Sequence, residues 1–266
     1  LVTHSDYDPM LGKTIKALAT PELPRLFARL VEGLAAFDNL IIIAYHGEHR
    51  PAVLYREYTD PVVYLPMDNQ YLGGAYLLDP FYREHLKGKV RGIRRLVDVA
   101  PDHFRRTHYY NNYYKQTTLL DEVAVFASIS ESITLTACFG RDRSSGTAFG
   151  KHEVQALHDS EMTLGALLEM HWRDYQPESL AKAAPAPLEE RLREALKQDH
   201  DIGLSPRQAE VALLILRGHS SLSISLHLEI SLQTVKVFRR QLYAKCGISS
   251  QAELFALLMP LFSRLA

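Results

Sequence analysis

Helix-capping residues recur at short spacings over the last quarter of this chain, and they fix what it can fold into. Ser205-Pro206 reads as a helix start: a hydroxyl cap, then a proline whose fixed φ and missing N–H suit the first helical position. Gly218 reads as its stop, because glycine takes positive φ without a Cβ clash. Ser220 caps a second helix carrying Leu222, Ile224, Leu226 and Leu228. Ser231 caps a third, Leu232 to Cys246, closed by Gly247, and a fourth runs from about Gln251 to Phe262. Helices this short bury their apolar stripes only against one another, so the segment is read as an all-α domain.

The third helix has two faces. At about 100° per residue, Val235, Phe238, Leu242 and Cys246 share the side turned to a core. Gln233, Lys236, Val237 and Arg240 fall on the opposite side. Lys236 and Arg240 stand one turn apart in the N-terminal half, where a recognition helix meets base edges in the major groove. Thr234 lies in the first turn, where a hydroxyl and unpaired N–H groups suit a phosphate. A solvated basic face on an ordinary surface helix has the same pattern, and the helix alone does not separate the two readings. Charge distribution adds weight to the first. From Leu204 onward there are seven basic and three acidic residues, a net of about +4, whereas the whole chain carries −1. A basic tail on an acidic body is the electrostatic footprint of a nucleic-acid-binding module joined to something else.

Leu204-Ser205-Pro206-Arg207-Gln208-Ala209-Glu210-Val211, Gly218-His219-Ser220, Ile224, Leu228-Glu229-Ile230-Ser231, Thr234-Val235-Lys236, Tyr243-Ala244-Lys245-Cys246-Gly247-Ile248 and Ala252-Glu253-Leu254 together resemble the LuxR-type helix-turn-helix domain. The resemblance implies base contacts from Lys236, Val237 and Arg240, phosphate contacts from Thr234 and Lys245, and dimerisation through the last helix. Gln233 shares the reading face. This chain departs from the family pattern at Gln208, where Glu is usual, and at Ser223-Ile224-Ser225, where Glu-Ile-Ala is usual. It also departs at Phe238, usually His, and at Cys246, usually Leu. None of these departures falls on the reading face.

At 266 residues, two domains are expected. Gln176 to Pro187 carries three prolines and almost no large apolar residue, so it is read as a linker. A short amphipathic helix with Leu188, Leu192 and Leu196 follows it. The expected organisation is a sensing and dimerisation domain over 1–175, a linker with a short helix over 176–199, and the DNA-binding domain over 200–266. In the first, Pro21 to Phe37, Tyr71 to Leu86, His103 to Thr117 and Lys151 to Trp172 read as helices. Asn39 to Tyr45, Ala52 to Tyr58 and Gly92 to Val99 read as strands. Glu122 to Ile129 and Ile133 to Phe139 read as a hairpin with one covered face, Val123, Val125, Ala127 and Ile129 sharing it with Ile133, Leu135, Ala137 and Phe139. The fold class is therefore α+β: an antiparallel-sheet domain similar to PAS or GAF sensors, followed by an all-α helix-turn-helix domain.

Tyr71 to Pro80 resembles the Tyr-and-Asp-Pro stretch of acyl-homoserine-lactone receptors, in which the aspartate holds the ligand amide. The tryptophans usual beside it are missing, Trp172 being the only one, which argues against a lactone. The chain has 14 tyrosines. Tyr71 and Tyr76 near Asp79, and Tyr110 and Tyr114 ahead of Asp121, offer aromatic faces beside carboxylates, the chemistry of an amine cage. The alternative is that the tyrosines simply cover the sheet and the acids cap turns or meet an arginine such as Arg94.

Other classes are disfavoured. There is no acidic pair after Ile41-Ile42-Ile43 as a phosphoreceiver needs, no P-loop, and no Gly-x-Ser-x-Gly elbow, so no enzyme activity and no cofactor are expected. His103, His108, His152 and His158 lack metal-site spacing, so no metal is expected. Leu1 to Asp6 has neither the basic nor the apolar region of an export signal, and the longest apolar runs, such as 254–259, are too short for a bilayer. Cys138 and Cys246 lie far apart and fit a reducing cytoplasm. The expected molecule is a cytoplasmic, homodimeric regulator that binds double-stranded DNA, answers to a small-molecule effector and has RNA polymerase as a candidate partner. The alternative is a constitutive DNA-binding regulator whose N-terminal domain only dimerises or binds a protein.

Overall fold

Alternating apolar residues on either side of Ser130-Glu131-Ser132 build the centre of a five-stranded antiparallel sheet. The computed structural model describes residues 4–265, with side chains from Tyr7 onward. In chain order the elements of the first part are α1 (His4–Lys16), α2 (Leu23–Glu32), β1 (Asn39–His46), β2 (Ala52–Tyr58), α3 (Pro80–His85), β3 (Gly92–Arg95) and α4 (Leu96–Val99). They continue with β4 (Leu119–Ser128), β5 (Ile133–Asp142), α5 (Lys151–Asp159) and α6 (Glu161–His171). The sheet order is β2-β1-β5-β4-β3, with every pair antiparallel. Val123, Val125 and Ala127 of β4 join Leu135, Ala137 and Phe139 of β5 in one core with Phe27 and Val31 of α2 and Leu164 and Leu168 of α6.

The hairpin differs from expectation in having both faces covered. Ala124, Phe126, Thr134, Thr136 and Cys138, on the other side of the pleat, are also buried. The residues between the core positions are themselves apolar or small, which is the pattern of a strand buried twice. Three expected helices also differ. The span 151–172 breaks at Ser160, whose N–H turns back to Leu157 O at 3.1 Å, so α5 and α6 are separate helices. Residues 67–78 and 104–117 form successive π and 3₁₀ turns instead of α-helix. Gly73-Gly74 interrupts the first run, and Pro80 begins α3 rather than breaking a longer helix.

The remaining elements are α7 (Leu188–His200), α8 (Pro206–Arg217), α9 (Ser221–His227), α10 (Leu232–Cys246) and α11 (Gln251–Leu265). The chain packs as two units. One holds 1–65, 84–99 and 117–183, and the other holds 66–83, 100–116 and 184–266. The second thus combines the five C-terminal helices with two segments drawn from the N-terminal half of the sequence. Leu188, Leu192 and Leu196 of α7 are buried in it. No single helix among the described residues is long and apolar enough to cross a membrane.

Candidate nucleic-acid interface and effector site

Capping sets each helix of the C-terminal region. Ser205 Oγ accepts Gln208 N–H at 3.2 Å and Gln208 Oε1 accepts Ser205 N–H at 3.0 Å, a reciprocal box at the start of α8. Gly218 ends α8 at φ +98°. Ser220 Oγ accepts Ser223 N–H at 3.1 Å to open α9. Ser231 Oγ accepts Thr234 N–H at 3.0 Å to open α10, and Gly247 closes α10 at φ +65°. Glutamine serves at position 208 as glutamate would, and it does more. Its Oε1 also accepts Lys245 Nζ at 2.9 Å, and its Nε2 donates to Gln241 Oε1 at 3.2 Å, tying the start of α8 to the end of α10.

Val235 and Leu242 of α10 are fully buried, and Phe238 and Cys246 are partly buried beside them. Gln233, Lys236 and Arg240 are exposed along one ridge, with Val237 half-buried next to it. The structure therefore places these four residues on one outward face. Thr234 is half-buried, and its Oγ1 lies 2.7 Å from Ser231 Oγ at the cap. The Lys245 ammonium donates to Gly203 O at 2.7 Å as well as to Gln208, so it sits at the α8–α10 junction. Arg239, which the sequence pattern did not single out, lies 5.9 Å over the Tyr243 ring and within 3.4 Å of Ser221 Oγ.

The effector-site residues fall into three places. Tyr71, Tyr76 and Asp79 come together: the Tyr71 hydroxyl donates to Asp79 Oδ2 at 2.6 Å, and Phe81 N–H donates to Oδ1 at 2.8 Å. Tyr71 and Tyr76 ring centroids are 6.3 Å apart, and Tyr71 is 5.6 Å from Tyr113. Tyr110 and Tyr114 instead stack on each other at 5.5 Å and pack edge-on against Phe104. Tyr109 and Tyr113 have the same i,i+4 spacing as Tyr110 and Tyr114, so sequence alone could not choose which pair turns toward Asp79. Asp121 belongs to the other unit. There it pairs with Arg95, Nη2 to Oδ2 at 2.6 Å, and accepts the N–H groups of Phe149 and Glu122. Among the described residues no three His, Cys, Asp or Glu side chains gather as a metal site.

Burial pushes the Asp79 carboxyl up to about 6, although the Tyr71 hydroxyl and the Phe81 N–H favour the ionised form and pull the other way. The folded state thus prefers a protonated Asp79. That preference adds stability below the unfolded value of 3.8, and the contribution is lost as pH rises through about 6. Asp79→Asn lacks this term. Its stability relative to the parent is expected to improve from about pH 4 to about pH 6 and then to level off, measured by denaturant unfolding at each pH. A pH-independent difference would show that Asp79 is ionised throughout.

Residues 203–258 match the family model of bacterial regulatory proteins of the luxR family. An HTH-type transcriptional regulator from the exeN 3′ region of Aeromonas salmonicida is 29% identical over 185 residues, 68% of this chain and 93% of that protein. The monoamine regulon transcriptional regulator of Klebsiella aerogenes is 23% identical over 187 residues, 70% of this chain and 69% of that protein. The VqsR LBD domain from Pseudomonas aeruginosa superimposes with a TM-score of 0.54 at 25% identity, over 64% of this chain and 98% of that one. The capped α8–α11 array, the outward basic ridge on α10 and the family match converge on one segment: residues 203–258 form a LuxR-family helix-turn-helix domain, in a chain similar to proteins named as transcriptional regulators.

Proposed function

We propose that the protein binds operator DNA as a homodimer through α10 and that its N-terminal domain senses a small molecule. The single observation behind the DNA reading is the exposed ridge of Gln233, Lys236 and Arg240 on a helix whose opposite face is buried. Val237 adds an apolar contact suited to a thymine methyl, and Thr234 and Lys245 are assigned to phosphates. The cytoplasm is the proposed setting, and RNA polymerase the proposed protein partner.

The effector assigned to the Tyr71–Tyr76–Asp79 cluster is an amine, whose ammonium would replace the Tyr71 hydroxyl at the carboxylate. Tyr110 and Tyr114 are proposed as secondary to that cluster, whereas Asp121, paired with Arg95 in the other unit, is taken as structural. The Klebsiella relative is named for a monoamine regulon, which agrees with the choice. A second reading, a constitutive regulator, is favoured by the fact that Asp79 already receives donors from Tyr71 and Phe81, as a purely structural aspartate would. Footprinting with the full chain and sedimentation of the complex test the first reading. The expected result is protection of two half-sites about one helical turn apart by a dimer. A monomer bound to one half-site at full affinity overturns it. Thermal stabilisation of the parent, but not of folded Asp79→Asn, by phenethylamine is the expected effector result. No stabilisation in either leaves the constitutive reading standing.

A further inference from the structure

A half-open cavity of about 220 Å³ lies in the second unit, and Asp79 is not among its lining residues. One wall is α11, through Phe255, Met259 and Phe262. The facing wall comes from the turns at 69–78 and 108–113, with Ala75, Leu78 and Tyr113 supplying apolar surface. Its walls are held by close packing. His108 stacks flat on Phe255, centroids 3.6 Å apart and planes 9° from parallel. Gly74 sits at φ +128°, and a Cβ there would be 2.6 Å from Phe262 O, so the turn lies backbone-to-backbone against α11. A larger residue at this position would prise the two walls apart.

The chemistry of the lining defines what fits. None of the lining side chains is Lys, Arg, Asp or Glu. Partial desolvation lowers the His108 imidazole from its ordinary value, favouring its neutral form. A charged occupant would lose its water and find no counter-charge. The rim does carry amides, Asn69, Gln70 and Asn112, which supply donors and acceptors for one polar group. The volume is below the roughly 300–1,000 Å³ of drug-sized pockets, so the occupant is small.

We propose that this cavity binds a small, neutral, mainly apolar molecule bearing one hydroxyl or carbonyl group, and that the molecule clamps the 69–78 and 108–113 turns onto α11. Both walls must be in place to enclose it, so binding holds α11 against segments contributed by the N-terminal half of the chain. Asp79 does not line the cavity, but the lining Tyr109 hydrogen-bonds its carboxylate and the lining Tyr113 packs on Tyr71, so the two sites are adjacent and are tested separately.

Three probes with one ring and chain length separate the cases: 2-phenylethanol, phenethylamine and phenylacetate. Each is added to the full chain, and hydrogen exchange is followed over 69–78 and 255–263. The expected result is saturable slowing by 2-phenylethanol, with the two charged probes binding there about ten-fold more weakly or worse. Met259→Trp, which fills the cavity, is expected to abolish the slowing. If that variant does not fold, Asn69→Trp at the exposed rim serves instead. No slowing by 2-phenylethanol, equal slowing by all three probes, or slowing that persists in the folded filled variant overturns the proposal. Phenethylamine stabilisation that is lost in Asp79→Asn and kept in the filled variant tests the amine site alone, so the two ideas fail separately.

Discussion

Alanine at Lys236 or at Arg240 is expected to weaken binding to the cognate operator by about 1–3 kcal/mol each, and to relax sequence preference at the base each one reads. Thermal stability should hardly change. Both side chains are exposed, and among the described residues neither makes a hydrogen bond or ion pair within the chain. Their removal therefore leaves no buried group unpaired. Fluorescence anisotropy against the cognate site and a scrambled duplex, at several salt concentrations, measures both quantities. Thr234→Ala is expected to behave differently: it should weaken all duplexes alike and flatten the salt dependence, as loss of a phosphate contact does. Lys245→Ala mixes two effects, because its ammonium also joins Gly203 and Gln208 at the α8–α10 junction. Unchanged operator affinity for Lys236→Ala at moderate salt would remove α10 from the role of recognition helix.

Leu242→Ala, two residues beyond Arg240 on the same helix, should show the opposite behaviour. Leu242 is fully buried where α10 packs on α8. Deleting its methyl groups removes transfer free energy and leaves a cavity, together about 2–5 kcal/mol. Against a typical total of about 5–15 kcal/mol, that is a large part of the stability. The expected readout is a much lower denaturation midpoint, with the folded fraction still binding operator at parental affinity in the cold. Unchanged stability would mean that the buried face of α10 is misassigned. The pair of substitutions separates reading from folding on a single helix.

Much of the C-terminal array was legible because its determinants are local. A serine cap acts on an N–H three residues away, and a terminating glycine acts through its own φ, so Ser205, Gly218, Ser220, Ser231 and Gly247 were readable in place. The two faces of α10 follow from helical pitch, and the β4–β5 hairpin from a period of two, for the same reason. The turns at 67–78 and 104–117 were not legible as such. Their residues have the apolar and aromatic content of helices, yet Gly73-Gly74 and close packing select π and 3₁₀ geometry. The tyrosines pair at i,i+4 as a helix would pair them, Tyr109 with Tyr113 and Tyr110 with Tyr114, and only the fold decides that Tyr113 meets Tyr71 while Tyr110 and Tyr114 turn to Phe104.

By itself the sequence determined where the C-terminal helices begin and end, which side of α10 faces outward, and that a five-stranded antiparallel sheet precedes it. Each depends on interactions within a few residues or on a fixed repeat. Tertiary structure alone decided that Asp79 would be closed over by Tyr71 and Asp121 by Arg95. It also decided that residues 66–83 and 100–116 would pack with the C-terminal helices, leaving a neutral cavity against α11. Those outcomes join residues up to two hundred positions apart. They depend on which buried surfaces fit together, and no local pattern records that fit.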